Sequence, residues 1–194
     1  DYPGTGPLVG VVGVAVGYKN LLYSEGFDDT SEARVRLDGG VATVACAVAE
    51  VGQGFVTIAT QIARTVLGCE AVVLEPAGTA TAGSAGSSSA SRQTWMSGGA
   101  VGRACRLVAD QVRSALARRL DVAPESLSLT GDGRLVGPGV DVGVAEAAGS
   151  EPYEATALHR HRPTTPLDDQ GQGTPDVSFV FAAHRAVVDV DPDL

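Results

Sequence analysis

A change of hydrophobic period near residue 50 is the feature that most constrains how this chain can fold. Residues 33–50, "ARVRLDGGVATVACAVAE", hold two runs rich in β-branched residues on either side of Asp38-Gly39-Gly40. In the first run, residues 33–37, apolar side chains alternate with arginines. This pattern predicts a β-hairpin whose first strand has one buried face and one face in water.

A helical pattern follows the hairpin. Apolar residues recur at helical spacing between Ile58 and Leu67, and Gly68 follows as a C-terminal stop. Residues 70–78 then have the composition of a strand that returns to the sheet, and residues 97–123 have the pattern of a long amphipathic helix. The apolar face of that helix is predicted to comprise Val101, Cys105, Val108, Val112, Ala115, Leu116 and Leu120.

The order of these elements predicts an α+β (α/β) fold, with a hairpin followed by helix, strand and helix on a mixed, mainly antiparallel sheet. Residues 11–26 are an apolar run interrupted by glycines, which is typical of a buried strand close to other backbone. Residues 176–191 alternate as a strand, and residues 140–175 are polar and rich in turn formers. The chain begins at Asp1 and stops just after this alternation, so we expect it to be part of a longer polypeptide.

The composition disfavours several classes of function. The formal charge of −9 argues against binding to nucleic acid or to anionic membranes, and no apolar stretch approaches the roughly 18 residues that a membrane span needs. We therefore expect a cytoplasmic protein with neither kind of partner. Cys46, Cys69 and Cys105 are widely spaced and form no CxxC pair, which predicts reduced, partly buried side chains rather than an iron–sulfur cluster or a zinc site.

The segment "EVGQG", residues 50–54, lies between the hairpin and the first predicted helix. Gly52 and Gly54 would let a ligand approach the main chain, and the first N–H groups of a helix lack internal partners. Gln53 offers both hydrogen-bond donors and an acceptor. The segment lacks the GK[ST] of a P-loop and the third glycine of a dinucleotide-binding turn. Taken alone, it indicates either a site for a phosphate or polar ring, or a tight turn with an exposed glutamine.

A second candidate is the serine- and glycine-rich stretch "SAGSSSASRQTWMSGGAV", residues 84–101. Its composition also suits a flexible connector, but it runs through Arg92 and Gln93 directly into a helix, which favours an ordered loop. Hydroxyls, backbone N–H groups and one guanidinium ahead of a helix would form a cradle for an anion. Because both candidate loops precede helices, they could face one ligand from two sides.

Other polar clusters carry weaker signals. The segment "HRHRP", residues 159–163, places His159 and His161 on one face of a strand, but no nearby side chains complete a metal site. We interpret both histidines as solvated and predict no metal ligands. There is no nucleophile elbow or ordered catalytic triad. The acidic runs "FDDT" (27–30) and "LDDQ" (167–170) are interpreted as solvated turns.

Four segments together resemble the molybdenum-cofactor-binding subunit of bacterial xanthine dehydrogenases, in the xanthine dehydrogenase/aldehyde oxidase superfamily. They are "VGYKNLLYSEGFDDTSEARVRL", "AEVGQGFVTIATQIARTVLG", "GSAGSSSASRQTWMSGGAV" and "FVFAAHRAVVDVDP". The resemblance implies a fragment of a larger subunit of several lobes around molybdopterin, often present in bacteria as a dinucleotide such as the cytosine form. Residues 1–148 would be part of the molybdopterin-binding lobe, and residues 149–194 would begin the following lobe.

The resemblance also implies a function. The family hydroxylates a carbon of a purine, such as xanthine or hypoxanthine, or of an aldehyde, with water as the oxygen source. Electrons leave through iron–sulfur clusters and FAD on partner domains or subunits, so a hetero-oligomer is expected. Alternatives are an aldehyde or carbon-monoxide dehydrogenase-type relative, or a non-catalytic cofactor-binding or assembly module.

The family motifs assign cofactor contacts by position. The expected cofactor-binding residues are Gly52, Gln53, Gly54, Ser88, Ala90, Ser91, Arg92 and Gln93. The family's general base is a glutamate in a later glycine-rich segment, so no residue here is assigned a catalytic role, and Glu50 and Glu146 are not candidates for it. The chain by itself is expected to be inactive.

Overall fold

The computed structural model describes residues 9–22, 26–76, 78 and 83–191. The strands are β1 (Val9–Leu21), β2 (Thr30–Asp38), β3 (Val41–Ala45), β4 (Ala71–Leu74), β5 (Ser128–Leu129), β6 (Arg134–Gly137), β7 (Val140–Gly143), β8 (Tyr153–Arg160) and β9 (Ser178–Val190). The helices are α1 (Phe55–Leu67), α2 (Met96–Leu120) and α3 (Val144–Ala148), and a short 3-10 helix spans Pro124–Ser126.

The central sheet has four strands in the order β4-β3-β2-β8. β2 is antiparallel to both β3 and β8, whereas β3 and β4 are parallel and are joined by α1. A second antiparallel sheet, β5-β6-β7, follows α2 in the chain. The predicted α+β class, the hairpin and the mainly antiparallel pairing are therefore confirmed.

One face of the central sheet carries the core. Ala33, Val35 and Leu37 of β2 are 1%, 0% and 0% exposed, while Arg36 between them is exposed. α2 packs across β2 and β8, and α1 packs beside α2 near β3 and β4. Burying the alternate apolar side chains of β2 under α2 explains why this strand alternates along its length.

The two long helices pack by apolar faces close to the predicted ones. In α1 the predicted Ile58, Ile62 and Val66 are only partly buried. In α1 the deepest positions are Phe55, Ala59, Ala63 and Leu67. In α2 the predicted face is buried from Val101 to Ala115.

The predicted face of α2 stops before its last turn, because Leu120 is 44% exposed. A helix of 25 residues is about 37 Å long, whereas the nine residues of β2 span about 30 Å. The C-terminal end of α2 therefore extends past the strands on which it packs.

β1 and β9 pair with each other over 13 residues and form a separate two-stranded ribbon, the β1–β9 ribbon. The prediction of a buried strand at 11–26 is wrong for residues 11–19, which are exposed, whereas Leu22 is buried and residues 23–25 lie outside the described residues. Val16 is 81% exposed and Phe181 on the partner strand is 77% exposed. The apolar run of β1 is typical of a strand covered on both faces, but no other described element lies over it.

The segment 140–175 is more ordered than its polar composition predicts. It contains β7, α3 and β8, and β8 forms an edge of the central sheet. β8 buries only Tyr153 and Ala157, so its apolar alternation is weak in the sequence. β8 follows the predicted boundary at 148/149 and pairs with β2; the division into lobes stays a prediction.

Candidate functional site

The "EVGQG" turn, residues 50–54, is closed by its own glutamate. The carboxylate of Glu50 accepts hydrogen bonds from the N–H groups of Gly52 at 2.9 Å, Gly54 at 3.1 Å and Val56 at 3.0 Å. These bonds lower the pKa of Glu50, and the bond from the Val56 N–H makes the largest contribution. Gly52 and Gly54 have φ of 93° and 87°, which only glycine adopts readily. These three N–H groups are therefore already bonded within the chain, and the cofactor contacts of Gly52 and Gly54 stay a prediction.

What the turn presents outward is the side chain of Gln53. Its Nε2 donates to the carbonyl oxygen of Ala49 at 2.9 Å and to Oε1 of Gln93 at 2.5 Å, while its Oε1 accepts from the N–H of Val51 at 2.7 Å. Gln93 Nε2 in turn donates to Oγ of Ser88 at 2.7 Å. This chain of bonds joins the turn at residues 50–54 to the loop that precedes α2, across 40 residues of sequence.

The loop before α2, residues 83–95, is called here the serine loop. Between it, the "EVGQG" turn and the base of the β1–β9 ribbon lies a cavity of about 670 Å³, called the hollow. It is lined by Leu21, Gln53, Ser88, Ser91, Arg92, Gln93, Thr94, Trp95 and Val180. Five of the eight expected cofactor contacts therefore meet at one place, while Gly52, Gly54 and Ala90 do not line it.

Arg92 is the centre of the serine loop, but its guanidinium is not available to a guest. The side chain is 0% exposed, and all five of its N–H donors have protein acceptors. They are Asp29 Oδ2 and Oδ1 (the latter at 2.8 Å) and the carbonyl oxygens of Ala85 at 2.7 Å, Ser87 at 2.6 Å and Thr30 at 2.9 Å. The expected contribution of this guanidinium to an anion cradle is therefore wrong: it holds the loop in shape.

Asp29 belongs to the run "FDDT", which was interpreted as a solvated turn. That interpretation is wrong for Asp29, which is 8% exposed and pairs with Arg92. It holds for Asp28, whose ion pair with Arg160 lies at the surface. A buried charge is costly unless it is paired and hydrogen-bonded, and only the folded chain brings these two residues together.

The backbone of the serine loop is strained where it passes the hollow. Ala90 and Ser91 have φ of 64° and 54°, left-handed values that are uncommon for residues other than glycine. The Ala90 carbonyl is fixed by the N–H of Leu22 at 2.9 Å. Gly86 lies under Arg92, and a Cβ there would be 2.6 Å from Nη2. Within the described part of the chain, the N–H groups of Ala90 and Ser91 donate to no protein acceptor.

The two histidines of "HRHRP" are not solvated, contrary to the interpretation from sequence. His161 is 7% exposed, and both ring nitrogens of His159 are buried with no hydrogen-bond partner. The ring of His159 lies on Gly99 of α2, where a Cβ would be 2.8 Å from its Cδ2. Burial, and then Arg103, lower the pKa of His159. Among the described residues, no cluster of three or more His, Cys, Asp or Glu is arranged to hold a metal.

The three cysteines are buried and free. Burial raises the pKa of Cys46 to about 11 and that of Cys105 to about 12. These two thiols are therefore protonated at neutral pH. Among the described helices, none has the length and apolar character of a membrane span.

Sequence reasoning missed two residues that shape the site, Asp29 and Glu50. Glu50 lies five residues before α1 begins, outside the positions where a capping signal is expected, so no local pattern predicts its role. No local signal identifies Asp29, because its partner lies 63 residues away.

The fold and the hollow define a mixed α and β domain with a cavity between two loops. Residues 4–194 match the family model of the molybdopterin cofactor-binding domain. The chain therefore belongs to this family. The resemblance to xanthine dehydrogenase is confirmed at this level, and its xanthine-specific part stays a prediction. No curated protein sequence matches the chain.

Several solved structures share the fold. CO dehydrogenase from Oligotropha carboxidovorans aligns with a TM-score of 0.67 and 20% identity, over 95% of this chain and 24% of its own. Quinoline 2-oxidoreductase from Pseudomonas putida 86 aligns with a TM-score of 0.63 and 26% identity, over 94% of this chain and 25% of its own. Aldehyde oxidoreductase from Desulfovibrio desulfuricans has a TM-score of 0.58 and 23% identity, over 97% of this chain and 19% of its own. The chain thus spans a quarter or less of these proteins.

Proposed function

We propose that this chain is the lobe of a molybdenum hydroxylase subunit that holds the molybdopterin cofactor in the hollow. The observation that carries the proposal is the Gln53–Gln93–Ser88 hydrogen-bond chain, which joins the two family motifs at a single cavity. Membership of the molybdopterin-binding family supports the identity of the ligand.

The groups around the hollow fit a polar, anionic ligand with a ring system. Gln93 Nε2 uses one of its two N–H groups on Ser88, which leaves the other for a guest. Ser88 Oγ accepts from Gln93, so its own proton is free to be donated. The N–H groups of Ala90 and Ser91 add main-chain donors of the kind that bind phosphate. Trp95, which is 45% exposed, offers a flat apolar wall.

These groups bind and orient; they do not carry out the reaction. When bound, the cofactor would supply the molybdenum centre that hydroxylates a substrate carbon with oxygen from water. Arg92 acts on the cofactor through the serine loop that it holds, and Gln53 acts through its amide. The general base, the iron–sulfur clusters and FAD are proposed to lie on other parts of the enzyme. The cytoplasmic location stays a prediction.

The proposed substrate is a purine such as xanthine or hypoxanthine. Its support is the "SASRQTWM" form of the serine loop in the sequence resemblance. An aldehyde, carbon monoxide or another nitrogen heterocycle is the alternative, and names of structures with a shared fold include all three kinds. Comparing turnover of xanthine, quinoline, an aldehyde and carbon monoxide by the complete enzyme would decide between them.

The β1–β9 ribbon is the proposed contact with the rest of the molybdenum subunit. One of its faces carries Val14, Val16 and Tyr18 opposite Phe181, with Tyr18 and Phe181 ring centroids 6.3 Å apart. An apolar surface of this kind marks an interface. The occupant we propose is another lobe of the same subunit, because structures of this fold have chains at least four times as long as the part they share with it.

The decisive experiment measures molybdenum in the full-length subunit purified with its partners. Gln53→Ala is expected to lower molybdenum content and xanthine oxidation together. Gln111→Ala is the matched control, because Gln111 is an exposed glutamine on α2 that donates only to the Glu154 carbonyl. If Gln53→Ala keeps wild-type molybdenum content and turnover, the turn has only a structural role and the proposal is wrong.

A further inference from the structure

The family motifs assign no role to Glu50, but the structure places its carboxylate at the centre of the turn. It lies one residue before the Val51-Gly52-Gln53-Gly54 segment, and its carboxylate spans the segment to reach the first turn of α1. Three N–H groups that point to the inside of the turn therefore converge on one anion. Glu50 itself is exposed, so burial does not dictate its presence.

The Glu50 carboxylate and the Gln53 amide bond to the same short segment of backbone. Both partners that orient the Gln53 amide within the turn, the Ala49 carbonyl and the Val51 N–H, belong to the two residues that flank Glu50. Because Oε1 faces a donor and Nε2 faces two acceptors, the amide has only one consistent orientation. In that orientation Nε2 reaches Gln93.

Without the carboxylate, the turn would have little to keep its shape. Gly52 and Gly54 both have positive φ, and glycine gives the unrestrained backbone many other conformations. The Cβ positions of both glycines are open, with no atom within 4 Å, so packing does not hold them. The hydrogen bonds to Glu50 restrain the backbone at both glycines, and those of Gln53 to Ala49 and Val51 close the same turn through a side chain.

We propose that Glu50 is a positioning residue for the cofactor: its carboxylate holds the turn in the conformation in which Gln53 joins Gln93 at the hollow. This inference rests on the proposed function. It assigns no proton transfer to Glu50. The Glu50 carboxylate could have either of two effects on the cofactor. If it positions Gln53, it favours cofactor binding. If it only occupies the place of a phosphate group, it competes with the cofactor.

The test uses the full-length subunit with its partners and measures both molybdenum per folded protein and the rate of cofactor release. Glu50→Ala is expected to release cofactor about tenfold faster, since hydrogen bonds to a charged group are lost. Glu50→Gln keeps an acceptor for Gly52 and Gly54 but turns an amide N–H₂ toward Val56, so it should rescue part of the loss.

Two controls exclude a general loss of stability. Glu70→Ala removes an equal charge beyond the other end of α1 and should leave release unchanged. Val112→Ala destabilises the core of α2 without touching the turn, and should lower the unfolding temperature without changing the release rate at a temperature where the protein is folded.

A double-mutant cycle completes the test. If Glu50 acts through Gln53, Glu50→Ala should add little to the effect of Gln53→Ala. Additive effects, or slower release in Glu50→Ala, would overturn the inference. A Gln53→Ala variant with wild-type molybdenum content would instead overturn the proposed function itself, so the two failures are distinguishable.

Discussion

Replacing Arg92 by methionine tests whether the serine loop depends on a buried ion pair. The change removes five N–H donors and leaves the Asp29 carboxylate, which is 8% exposed, without its partner. Removing one partner of a buried pair costs about 3–5 kcal/mol. At about 2–4 °C for each kcal/mol in a chain of this size, the unfolding temperature should fall by roughly 6–20 °C.

The assay is a urea titration and a thermal melt of the purified chain. Arg134→Met is the matched control, because Arg134 bonds Asp141 at the surface, where the two side chains are 42% and 68% exposed. An exposed pair contributes about 0–1 kcal/mol. If the two variants cost the same, the Arg92 guanidinium is not a buried restraint and the account of the serine loop is wrong.

A second variant isolates the charge. Asp29→Asn keeps the shape of the side chain but removes the carboxylate, and by itself it should also destabilise the chain. Combined with Arg92→Met, it should cost less than the sum of the two single changes, because neither partner is left charged and buried. Additive costs would contradict the pairing.

Three further predictions concern other parts of the molecule. Cys46 and Cys105 should resist alkylation in the native chain and react in urea, because burial raises their pKa to about 11 and about 12; labelling followed by mass spectrometry measures this, and equal rates in both states would contradict it. The lowered pKa of Glu50 means that its bonds stabilise the turn above its ordinary value of 4.5 and are lost as pH falls through the folded-state pKa. Cofactor release should therefore accelerate more steeply with acid in the wild-type enzyme than in Glu50→Gln, and parallel profiles would refute this. Phe181→Asp should leave the unfolding of the chain unchanged, since the side chain is 77% exposed, but reduce recovery of the assembled subunit, which size-exclusion chromatography measures; unchanged assembly would contradict the proposed contact.

Local patterns were sufficient to predict the core elements of the fold. The β2–β3 hairpin, α1 and the buried face of α2 each follow from residues near one another in the sequence, because the period of the apolar side chains reports which face is covered. The pattern did not predict β8, because this strand buries only two side chains. One of them is Ala157, and alanine gives little apolar contrast. The exposure of β1 was not predicted either. An apolar run indicates that a strand should be covered, but it does not indicate which part of a protein covers it.

The candidate site was predicted as two separate motifs, and their meeting was a hypothesis. The structure places Gln53 and Gln93 in contact, which agrees with that hypothesis. It also reverses two expected roles. The N–H groups of the turn are used by Glu50, and the guanidinium of Arg92 is used by Asp29.

The sequence by itself determined the period of each element, the position of the two glycine- and serine-rich loops, and the family to which they belong. Only the tertiary structure decided which polar groups are free to meet a ligand and which are already paired. The physical reason is that hydrogen bonds and buried ion pairs are satisfied in space. Residues such as Asp29 and Arg92 find each other only after the sheet and α2 have packed, and no local pattern records that partnership.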